Sequence, residues 1–378
     1  MRAIDIRLLR KKRTGDETVF FNLTKELLAI DKEHQYLLLT DENNPQEIAL
    51  IQARLGCVGQ KNVQFVSLIG KNRFVWNLIS VPWFLLTNKV DTYHTQYILP
   101  FLVPQRTKVL LHIHDVSFRA YPKLIGWKDL FFLDFFIPRS LARAERILVP
   151  SQFTKDEIVD YYGVAPEKIV VISNALGEDF LVSGNDVSPL LVQKKYHLPE
   201  DFIVYIGTLQ PRKNIPFLIR AFAELRKRLP QMSLVLVGDR EGHHVDSGIE
   251  RALEETGVAE SVCFPGYIDE HDLKGMLQSS SLFVFPSLYE GFGIPLLEAM
   301  SQEVPVAASD IPVLHEVAGE AAAYFDNTSI ASCEEKLYTL CTDREQRARG
   351  ISLGKSRLSY FSWKKSAKTL LALYETLV

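Results

Sequence analysis

Cysteine and long apolar runs are scarce in this sequence. Its four cysteines, among 378 residues, form no Cys-x-x-Cys pair, which argues against a zinc site or a disulfide framework and favours a reducing, cytoplasmic compartment. No segment approaches the ~18 uninterrupted apolar residues of a membrane span, and the N-terminal MRAIDIRLLRKKRTGDE lacks the apolar core of a signal peptide. We therefore expect a soluble chain, or one that rests on a membrane surface.

A large excess of one charge is also lacking. The chain has 43 Lys and Arg against 46 Asp and Glu, a net charge of -3, which is too balanced to predict binding to nucleic acid. The charge is nevertheless uneven, because residues 51–150 hold 13 basic and 5 acidic side chains. This asymmetry favours an anionic ligand or an anionic membrane surface on the N-terminal half.

Short apolar segments that alternate with amphipathic ones are abundant. Buried strands are predicted at 35–41, 63–69, 108–115, 146–151, 168–174, 202–208, 233–239, 262–268, 282–287 and 304–310. Helices are predicted at 153–163, 214–229, 271–280 and 361–378. The alternation is typical of parallel sheets covered by helices, and it predicts two doubly wound domains, 1–180 and 181–378, joined through the polar segment 175–200.

The segment PSLYEGFGIPLLEAM (286–300) is the strongest chemical feature. It joins a buried strand to a helix through a glycine-rich turn. Pro295 suits the first helical position, because its missing N–H has no intrahelical partner there. The N–H groups of residues 292–294 would then lie at the helix N-terminus, which favours a phosphate, and Gly291 and Gly293 let a ligand approach the backbone.

Two glutamates bracket this turn. Glu290 precedes it, and Glu298, eight residues later, is predicted in the first helical turn. Carboxylates accept hydrogen bonds from hydroxyl pairs, so two of them beside a phosphate-binding turn suit a sugar nucleotide. The alternative is that Glu290 caps a loop and Glu298 complements the helix dipole. A nicotinamide dehydrogenase is disfavoured, because the third glycine of its fingerprint is missing.

The segment YEGFGIPLLEA resembles the E-x7-E motif of glycosyltransferase family 4, whose members are retaining enzymes that use nucleotide sugars. Further segments that resemble the family, in the same order along the chain, are VPSQFTKDEI (149–158), IGTLQPRKN (206–214), FPGYIDEHDL (264–273), EVPVAASDIPVLHEVAGEAAAYFD (303–326) and FSW (361–363). The resemblance covers nearly the whole chain. It implies an α/β protein with the GT-B fold, in which an acceptor-binding and a nucleotide-sugar-binding Rossmann-like domain face each other across a cleft and the last helix packs back toward the N-terminal domain.

The resemblance also implies roles for individual residues. Glu290 would contact the donor sugar near its C3 and C4 hydroxyls, and Glu298 would contact the ribose. Lys213 and Arg212 would bind the phosphates, although a solvated turn is the alternative for this PRKN segment. The remaining donor-site positions are Gly207, Thr208, Tyr267, Ile268, Gly291, Phe292, Gly293 and Ile294. Thr208 stands where many family members carry an arginine.

In the N-terminal half, His114 matches the family's histidine that faces the donor, and its side chain would steady the C6 hydroxyl of the sugar. A purely structural role is the alternative. His112 lies two residues earlier on the same strand face, where a core position is predicted. The side chains that either line an acceptor pocket or pack in the core are Tyr93, His94 and Tyr97.

The acceptor side is less clearly marked. Family members often have two glycines near the start of the chain, whereas this chain has Gly15 alone, which the resemblance places at the acceptor. The basic run 7–13 is either a solvated loop or a site for an anionic acceptor or lipid headgroups. The apolar segments 74–86 and 130–147 are predicted as buried helices, with a peripheral membrane dock as the alternative.

The resemblance implies a retaining hexosyltransferase of polysaccharide biosynthesis. It would move a mannosyl, glucosyl or similar group from a UDP-, GDP-, dTDP- or ADP-sugar to a hydroxyl of a glycan or lipid-linked acceptor. We expect no metal or other cofactor, because fixed cations would hold the diphosphate. We expect a cytoplasmic protein, either free or at the inner face of a membrane. Two alternatives stay open: a nucleotide-sugar epimerase of related architecture and a non-catalytic sugar-nucleotide-binding scaffold.

Overall fold

The computed structural model describes residues 1–10, 15–70, 72–181, 187–240, 242 and 244–377. The chain forms two compact units. Unit 1 consists of Met1–Asn174 together with Ser362–Val378, and unit 2 consists of Ala175–Phe361. The domain boundary predicted from the sequence lies between residues 180 and 181, and the interior of the predicted polar connection, residues 182–186, lies outside the described residues.

Each unit is built on one sheet of parallel strands. The seven strands of unit 1 are β1 (Arg2–Asp5), β2 (Tyr36–Thr40), β3 (Val63–Ser67), β4 (Thr92–Gln96), β5 (Lys108–His112), β6 (Arg146–Val149) and β7 (Ile169–Val171). The six strands of unit 2 are β8 (Phe202–Ile206), β9 (Ser233–Val237), β10 (Val262–Gly266), β11 (Leu282–Phe285), β12 (Val306–Ser309) and β13 (Ala322–Phe325). The predicted parallel α/β class is confirmed.

Helices connect the strands. They are α1 (Gly15–Ile30), α2 (Pro45–Arg54), α3 (Arg73–Val75), α4 (Val81–Thr87), α5 (Ser117–Ala120), α6 (Trp127–Arg143), α7 (Gln152–Tyr162), α8 (Glu178–Leu181), α9 (Pro189–Lys195), α10 (Ile215–Arg228), α11 (Gly248–Thr256), α12 (Glu270–Ser279), α13 (Ile294–Ser301), α14 (Pro312–Ala318), α15 (Ile330–Thr342), α16 (Arg344–Leu358) and α17 (Trp363–Glu375). A π-helical segment, Trp76–Ser80, joins α3 to α4. No helix in the described part of the chain is long and apolar enough to cross a membrane.

The strand order in both sheets reverses direction once. It is β3-β2-β1-β4-β5-β6-β7 in unit 1 and β10-β9-β8-β11-β12-β13 in unit 2. In each sheet the first three strands proceed outward in one direction and the later strands in the other. The reversal lies between β1 and β4 in unit 1 and between β8 and β11 in unit 2, and the carboxyl ends of strands at such a reversal are where doubly wound folds bind ligands.

The ends of helix α7 are determined by residues next to it in the sequence. Ser151 lies before its first residue, and the Ser151 hydroxyl accepts a hydrogen bond from the backbone N–H of Thr154, which satisfies a donor that the helix leaves open. Gly163 ends the helix at φ +62°, a left-handed conformation that glycine adopts without a steric penalty. The helix predicted over 153–163 is confirmed with a shift of one residue.

Helix α17 packs against α1 and so returns the end of the chain to unit 1. The Ser366 hydroxyl donates to the backbone carbonyl of Ser173 at 2.6 Å, and the Tyr374 hydroxyl lies 3.0 Å from Nδ1 of His94. Trp363, Ala367, Leu370 and Tyr374 are buried, as their helical spacing predicts. The return of the last helix to the N-terminal domain therefore agrees with the predicted fold.

Candidate active site

The predicted donor-site residues follow the two strands that meet at the reversal in unit 2. The segment 207–213 follows β8, and the segment 286–293 follows β11, which is the hydrogen-bonded neighbour of β8. Because both strands run in the same direction, both segments leave the same edge of the sheet. Tyr267 and Ile268 follow β10, which is separated from β8 by β9; Tyr267 is exposed and Ile268 is buried.

Close backbone packing shapes the segment after β8. The Tyr205 hydroxyl donates to the carbonyl of Thr208 at 2.7 Å, and a Cβ atom at Gly207 would lie 2.5 Å from that hydroxyl oxygen. Glycine is therefore the residue that fits position 207. A 3₁₀ turn, Pro211–Lys213, follows, and Asn214 continues at φ +59° with its side chain donating to the carbonyl of Asn327 at 3.0 Å.

The turn brings two cations onto one carboxylate. Arg212 Nη1 lies 3.2 Å from Oε2 of Glu290, and Lys213 Nζ donates to Oε1 of the same side chain. The Ser287 hydroxyl donates to Oε1 of Glu290 at 2.6 Å. Lys213 and Glu290 are each 7% exposed, so this pair is largely removed from water. Two positive charges against one negative charge leave the cluster with an excess positive charge.

Glu290 is ionised in this setting. Burial by itself raises the pKa of a carboxyl group, but the charges of Lys213 and Arg212 and the hydrogen bonds from Lys213 and Ser287 oppose it, and the pKa of Glu290 lies below its usual value. Removing two charges from water costs more free energy than their attraction commonly returns. A buried, ionised cluster at a sheet edge that binds ligands is therefore a functional-site candidate.

The turn after β11 ends at Gly293, which lies immediately before α13. Gly293 has φ +104°, and a Cβ atom there would lie 3.1 Å from the side chains of Leu296 and Leu314. Since α13 begins at Ile294, Pro295 is the second helical residue; the prediction that it is the first was wrong by one position. The second position also leaves the N–H without an intrahelical partner.

Glu298 is the fifth residue of α13 and is 5% exposed. The first turn of the helix contains no acidic residue, so the predicted placement of Glu298 in that turn was wrong. A carboxylate beyond the first turn gains little from the helix dipole. The alternative that Glu298 complements the dipole is therefore weakened by its position.

The predicted histidine lies in unit 1. Strand β5 ends at His112, and His114 follows it, 6% exposed. Its Nε2 lies 2.8 Å from Oε1 of Gln96, at the end of the neighbouring strand β4, while its Nδ1 is buried without a hydrogen-bond partner among the described residues. Gln96 is a site residue that sequence reasoning missed, because only the β4–β5 pairing brings it next to His114. Ser287 was also missed, although it lies only three residues before Glu290 in the same glycine-rich segment.

Three histidine rings form a buried column in unit 1. The His112 ring lies 4.4 Å from the His114 ring and 6.3 Å from the His94 ring, with interplanar angles of 19° and 5°. Phe20 of α1 packs against all three rings. Burial lowers the pKa of His94 to about 3 and the pKa of His112 well below its usual value. Both rings are therefore neutral at physiological pH, and they occupy core positions.

Part of the predicted acceptor region lies outside the described residues. Gly15 is the first residue of α1 and is exposed. Residues 11–13 of the basic run lie outside the described residues. At its start, the Arg7 guanidinium lies 5.0 Å from the ring of Trp76, whose indole N–H donates to Asp5 at 2.8 Å. Within the described ranges, no group of three or more His, Cys, Asp or Glu side chains is arranged to hold a metal ion.

Two family models match the chain. The model described as "Glycosyl transferases group 1" matches residues 192–357, and "Glycosyltransferase Family 4" matches residues 13–179. O-antigen chain mannosyltransferase B of Escherichia coli is 30% identical over 302 residues, which make up 78% of this chain and 77% of that protein. The chain belongs to glycosyltransferase family 4. It is a group 1 glycosyltransferase and therefore an enzyme, as the motifs predict.

Solved structures resemble this glycosyltransferase over its whole length. Sucrose-phosphate synthase from Thermosynechococcus elongatus has a TM-score of 0.75 at 18% identity, with 100% of this chain and 98% of that chain covered. HepE of Anabaena, in complex with UDP-glucose, has a TM-score of 0.73 at 16% identity, with 99% of each chain covered. This likeness confirms the predicted GT-B fold. The chain also matches a second E. coli mannosyltransferase, of which it spans 28% of the length.

Proposed function

We propose that this glycosyltransferase transfers a hexosyl group, with retention of anomeric configuration, from a nucleoside-diphosphate sugar to a hydroxyl of a glycan or lipid-linked acceptor. The observation that carries the proposal is the buried cluster of Arg212, Lys213 and Glu290 at the sheet edge of unit 2. A relative named as an O-antigen mannosyltransferase supports a mannosyl group and a role in polysaccharide biosynthesis. The UDP-glucose bound to a neighbour of the same fold supports a nucleotide-sugar donor.

The excess positive charge of the cluster suits the diphosphate. When the bond between the anomeric carbon and the phosphate oxygen breaks, negative charge builds up on the departing diphosphate. Lys213 supplies a compact cation and Arg212 a planar fork of donors, and the N-terminus of α13, at Gly293 and Ile294, adds a favourable dipole. Fixed charges in a site shielded from water stabilise such a leaving group strongly, so the proposed mechanism needs no metal ion.

The two glutamates would bind hydroxyl groups of the donor. Glu290 is ionised, and a carboxylate offers about four acceptor positions. It can accept hydrogen bonds from the C3 and C4 hydroxyls while keeping those from Ser287 and Lys213 when Arg212, now bonded to Oε2, turns to the diphosphate. Glu298, buried in α13, would bind the ribose. Tyr267 and Ile268 would lie near the base.

His114 would act on the donor sugar from unit 1. Its buried Nδ1 has no partner in the described part of the chain, which leaves that nitrogen available to the C6 hydroxyl. In this proposal unit 1 also binds the acceptor, with Gly15 at its entrance. The departing phosphate would remove the proton from the attacking hydroxyl, since retention by this route places the nucleophile on the face of the leaving group.

We further propose that the enzyme works in the cytoplasm. All four cysteines are free thiols, which is typical of a reducing compartment. The nucleotide sugar would be drawn from the same compartment, and the acceptor end of a lipid-linked glycan would be presented at the inner face of the membrane.

A ligand screen followed by product analysis tests the proposal. Thermal unfolding of the full chain is followed with UDP, GDP, dTDP and ADP and their common sugar conjugates, first without and then with Mg²⁺. A ligand at 100 times its dissociation constant stabilises the folded state by about 2.7 kcal/mol, so one nucleotide should raise the melting temperature selectively without metal. NMR of the transfer product should then show the anomeric configuration of the donor. Failure of every nucleotide to stabilise the protein would contradict the donor site.

A further inference from the structure

Exposed aromatic side chains are concentrated on one part of unit 1. Among the described residues, 20 large hydrophobic side chains are exposed, and 11 of them lie between positions 69 and 135. They include every exposed Phe and Trp of the described chain: Phe74, Trp83, Phe101, Trp127, Phe131 and Phe135. We call these six residues the aromatic surface. Single exposed apolar residues are ordinary, but a concentration of this kind marks an interaction site.

Helix α6 carries half of the aromatic surface. Trp127, Phe131 and Phe135 are spaced by four residues, so they lie along one side of the helix, and they are 74%, 73% and 63% exposed. The buried residues of the helix are Ile137, Ser140 and Leu141, in its C-terminal half. A helix that already contributes to the core on one side would ordinarily present polar residues on the other. The sequence favoured a buried helix at 130–147, and this exposure corrects that prediction.

The segment Arg73–Thr87 carries a second part of the aromatic surface, Phe74 and Trp83. Phe74 and Trp83 are exposed, as are Leu78 and Ile79 between them. The buried residues of the segment are Trp76, Val81, Pro82, Phe84 and Leu85. The π-helical stretch Trp76–Ser80 lies between the two helices and contains the exposed Leu78 and Ile79. The prediction of a buried helix at 74–86 therefore holds for only one face.

Direct contacts join these parts into one surface. The Phe74 ring lies 6.1 Å from the ring of Phe132 in α6, and the Arg73 guanidinium lies 4.6 Å from the Phe132 ring. The backbone N–H of Phe101 donates to the carbonyl of Asn77 at 2.8 Å. The guanidinium of Arg139, in α6, lies 5.2 Å from the Phe101 ring.

The charge around the aromatic surface identifies its partner. Residues 69–143 contain 10 Lys and Arg against 4 Asp and Glu, although the whole chain has a net charge of -3. Arg73 is about half exposed and pairs with Asp129 of α6 at 3.7 Å, and Lys128 Nζ lies 5.5 Å from the Trp127 ring. A second copy of the chain would bring this positive charge against itself. Anionic lipid headgroups complement it, and aromatic side chains are favoured at the boundary between headgroups and acyl chains.

We propose that the aromatic surface docks this enzyme onto an anionic lipid bilayer. The six aromatic side chains enter the headgroup region, while Arg73, Lys128 and Arg139 contact lipid phosphates. The long side chains of these cations can lie along apolar surface and still keep their charges in water. The proposal concerns a surface outside the donor site and does not depend on the sugar or nucleotide that the enzyme uses.

Vesicle binding tests the proposal directly. The full chain is sedimented with vesicles of phosphatidylcholine and phosphatidylglycerol, and with vesicles of phosphatidylcholine alone. We expect binding to the anionic vesicles that weakens with added salt. The double variant Trp127→Ser/Phe131→Ser should lower the partition coefficient at least about tenfold, since it removes two large apolar groups from the interface. Lys128→Gln should lower it about fivefold, since a Lys near an anionic surface contributes roughly the corresponding free energy.

The matched control is Leu190→Ser/Leu191→Ser in unit 2, where both side chains are also exposed; it should bind like the unmodified protein. Thermal unfolding checks that each variant is folded. Quenching by brominated lipids should reach Trp83 and Trp127, and the variant Trp83→Phe should lose only the part of that signal that Trp83 contributes. Absence of binding to anionic vesicles, or equal binding by the Trp127→Ser/Phe131→Ser variant, would overturn the proposal. So would a dimer, seen by sedimentation velocity without lipid, that this variant converts to a monomer, because the surface would then join two copies of the chain.

Discussion

Each half of the chain, unit 1 and unit 2, carries a candidate site at the carboxyl ends of its parallel strands, but the two sites differ in chemistry. In unit 2, the segments after β8 and β11 carry an ionised cluster whose polar atoms are paired with one another. In unit 1, the ends of β4 and β5 carry a column of histidine rings, two of them held neutral by burial, in which several ring nitrogens have no partner among the described residues.

The difference shows how one architecture is adapted to two kinds of ligand group. A cluster with excess positive charge can bind a diphosphate. The negative charge of the diphosphate offsets the free energy needed to keep the cations away from water. An imidazole ring with an open nitrogen, such as that of His114, can exchange a hydrogen bond with a hydroxyl group. Substitutions in either unit test this difference, and their expected effects decrease from the charged cluster of unit 2 to the histidine column of unit 1.

Removing the carboxylate of Glu290, in the charged cluster of unit 2, should have the largest effect on turnover. We expect Glu290→Gln to lower kcat at least about 100-fold, by analogy with the loss of one transition-state contact, while circular dichroism shows an intact fold. The control is Glu303→Gln, which alters an exposed glutamate paired with Lys355 and should leave turnover unchanged. Near-normal turnover by Glu290→Gln would remove this residue from the mechanism.

Lys213, the cation beside Glu290, should act mainly on the binding of the nucleoside diphosphate. Lys213→Ala should weaken the affinity for the nucleoside diphosphate about tenfold to 100-fold, because a hydrogen bond to a charged group contributes about 1.5–3 kcal/mol. Titration calorimetry measures this directly, with Lys355→Ala as a control at an exposed ion pair of unit 2. An unchanged diphosphate affinity would contradict the assigned role of Lys213.

The buried histidines of unit 1, His94 and His112, should make the free energy of unfolding depend on pH. The unfolded chain protonates His94 and His112 below about pH 6.5, whereas the folded state keeps them neutral because burial lowers the pKa of both rings. The contribution of the two neutral rings to the free energy of unfolding is therefore complete above about pH 6.5. It is lost as the pH falls, by about 1.4 kcal/mol per pH unit for each histidine. For His94, this loss continues down to about pH 3.

Replacing one ring should reduce that dependence. The variant His112→Phe should lose about 1.4 kcal/mol less per pH unit than the unmodified protein, as measured by urea unfolding between about pH 6.5 and pH 5. His271→Gln, at an exposed position of α12, should retain the original slope. An identical slope for His112→Phe would mean that His112 is charged in the folded protein.

The smallest effect should come from the residue that orients His114. Gln96→Met removes the acceptor 2.8 Å from Nε2 of His114 and should lower kcat about threefold to tenfold, in line with the net contribution of a neutral hydrogen bond. Gln96→Glu keeps an acceptor and should recover most of the activity. The diphosphate affinity should stay unchanged in both variants, and a loss of that affinity in Gln96→Met would indicate a general structural defect instead.

Local sequence was sufficient for much of the fold. The predicted strands from 35–41 to 304–310 all correspond to observed strands, because a buried parallel strand is a continuous apolar run that its own residues reveal. Strands β1, β4 and β13 were not predicted from periodicity. Strand β4, TYHTQ, is mostly buried but polar in sequence, so its burial comes from the sheet and from Phe20 and Tyr374, which pack against His94.

The site was predictable where it is local and unpredictable where it is not. The glycine-rich turn at 286–293 and its two glutamates lie within one segment, and the family motif assigned them together. The contact of Glu290 with Lys213 spans 77 positions, and the Gln96–His114 hydrogen bond depends on strand pairing. Family resemblance supplied Lys213 and His114 as candidates, but no pattern in the sequence pointed to Gln96.

The sequence by itself determined the parallel α/β class, the two-domain organisation and the glycosyltransferase motifs, because periodicity and turn chemistry are set by residues close together along the chain. Only the tertiary structure decided which charges share Glu290, which nitrogen of His114 is held by Gln96 and which aromatic side chains of α6 face water. These properties depend on burial and pairing between distant segments, and an apolar residue has the same identity in a sequence whether its neighbours cover it or leave it exposed.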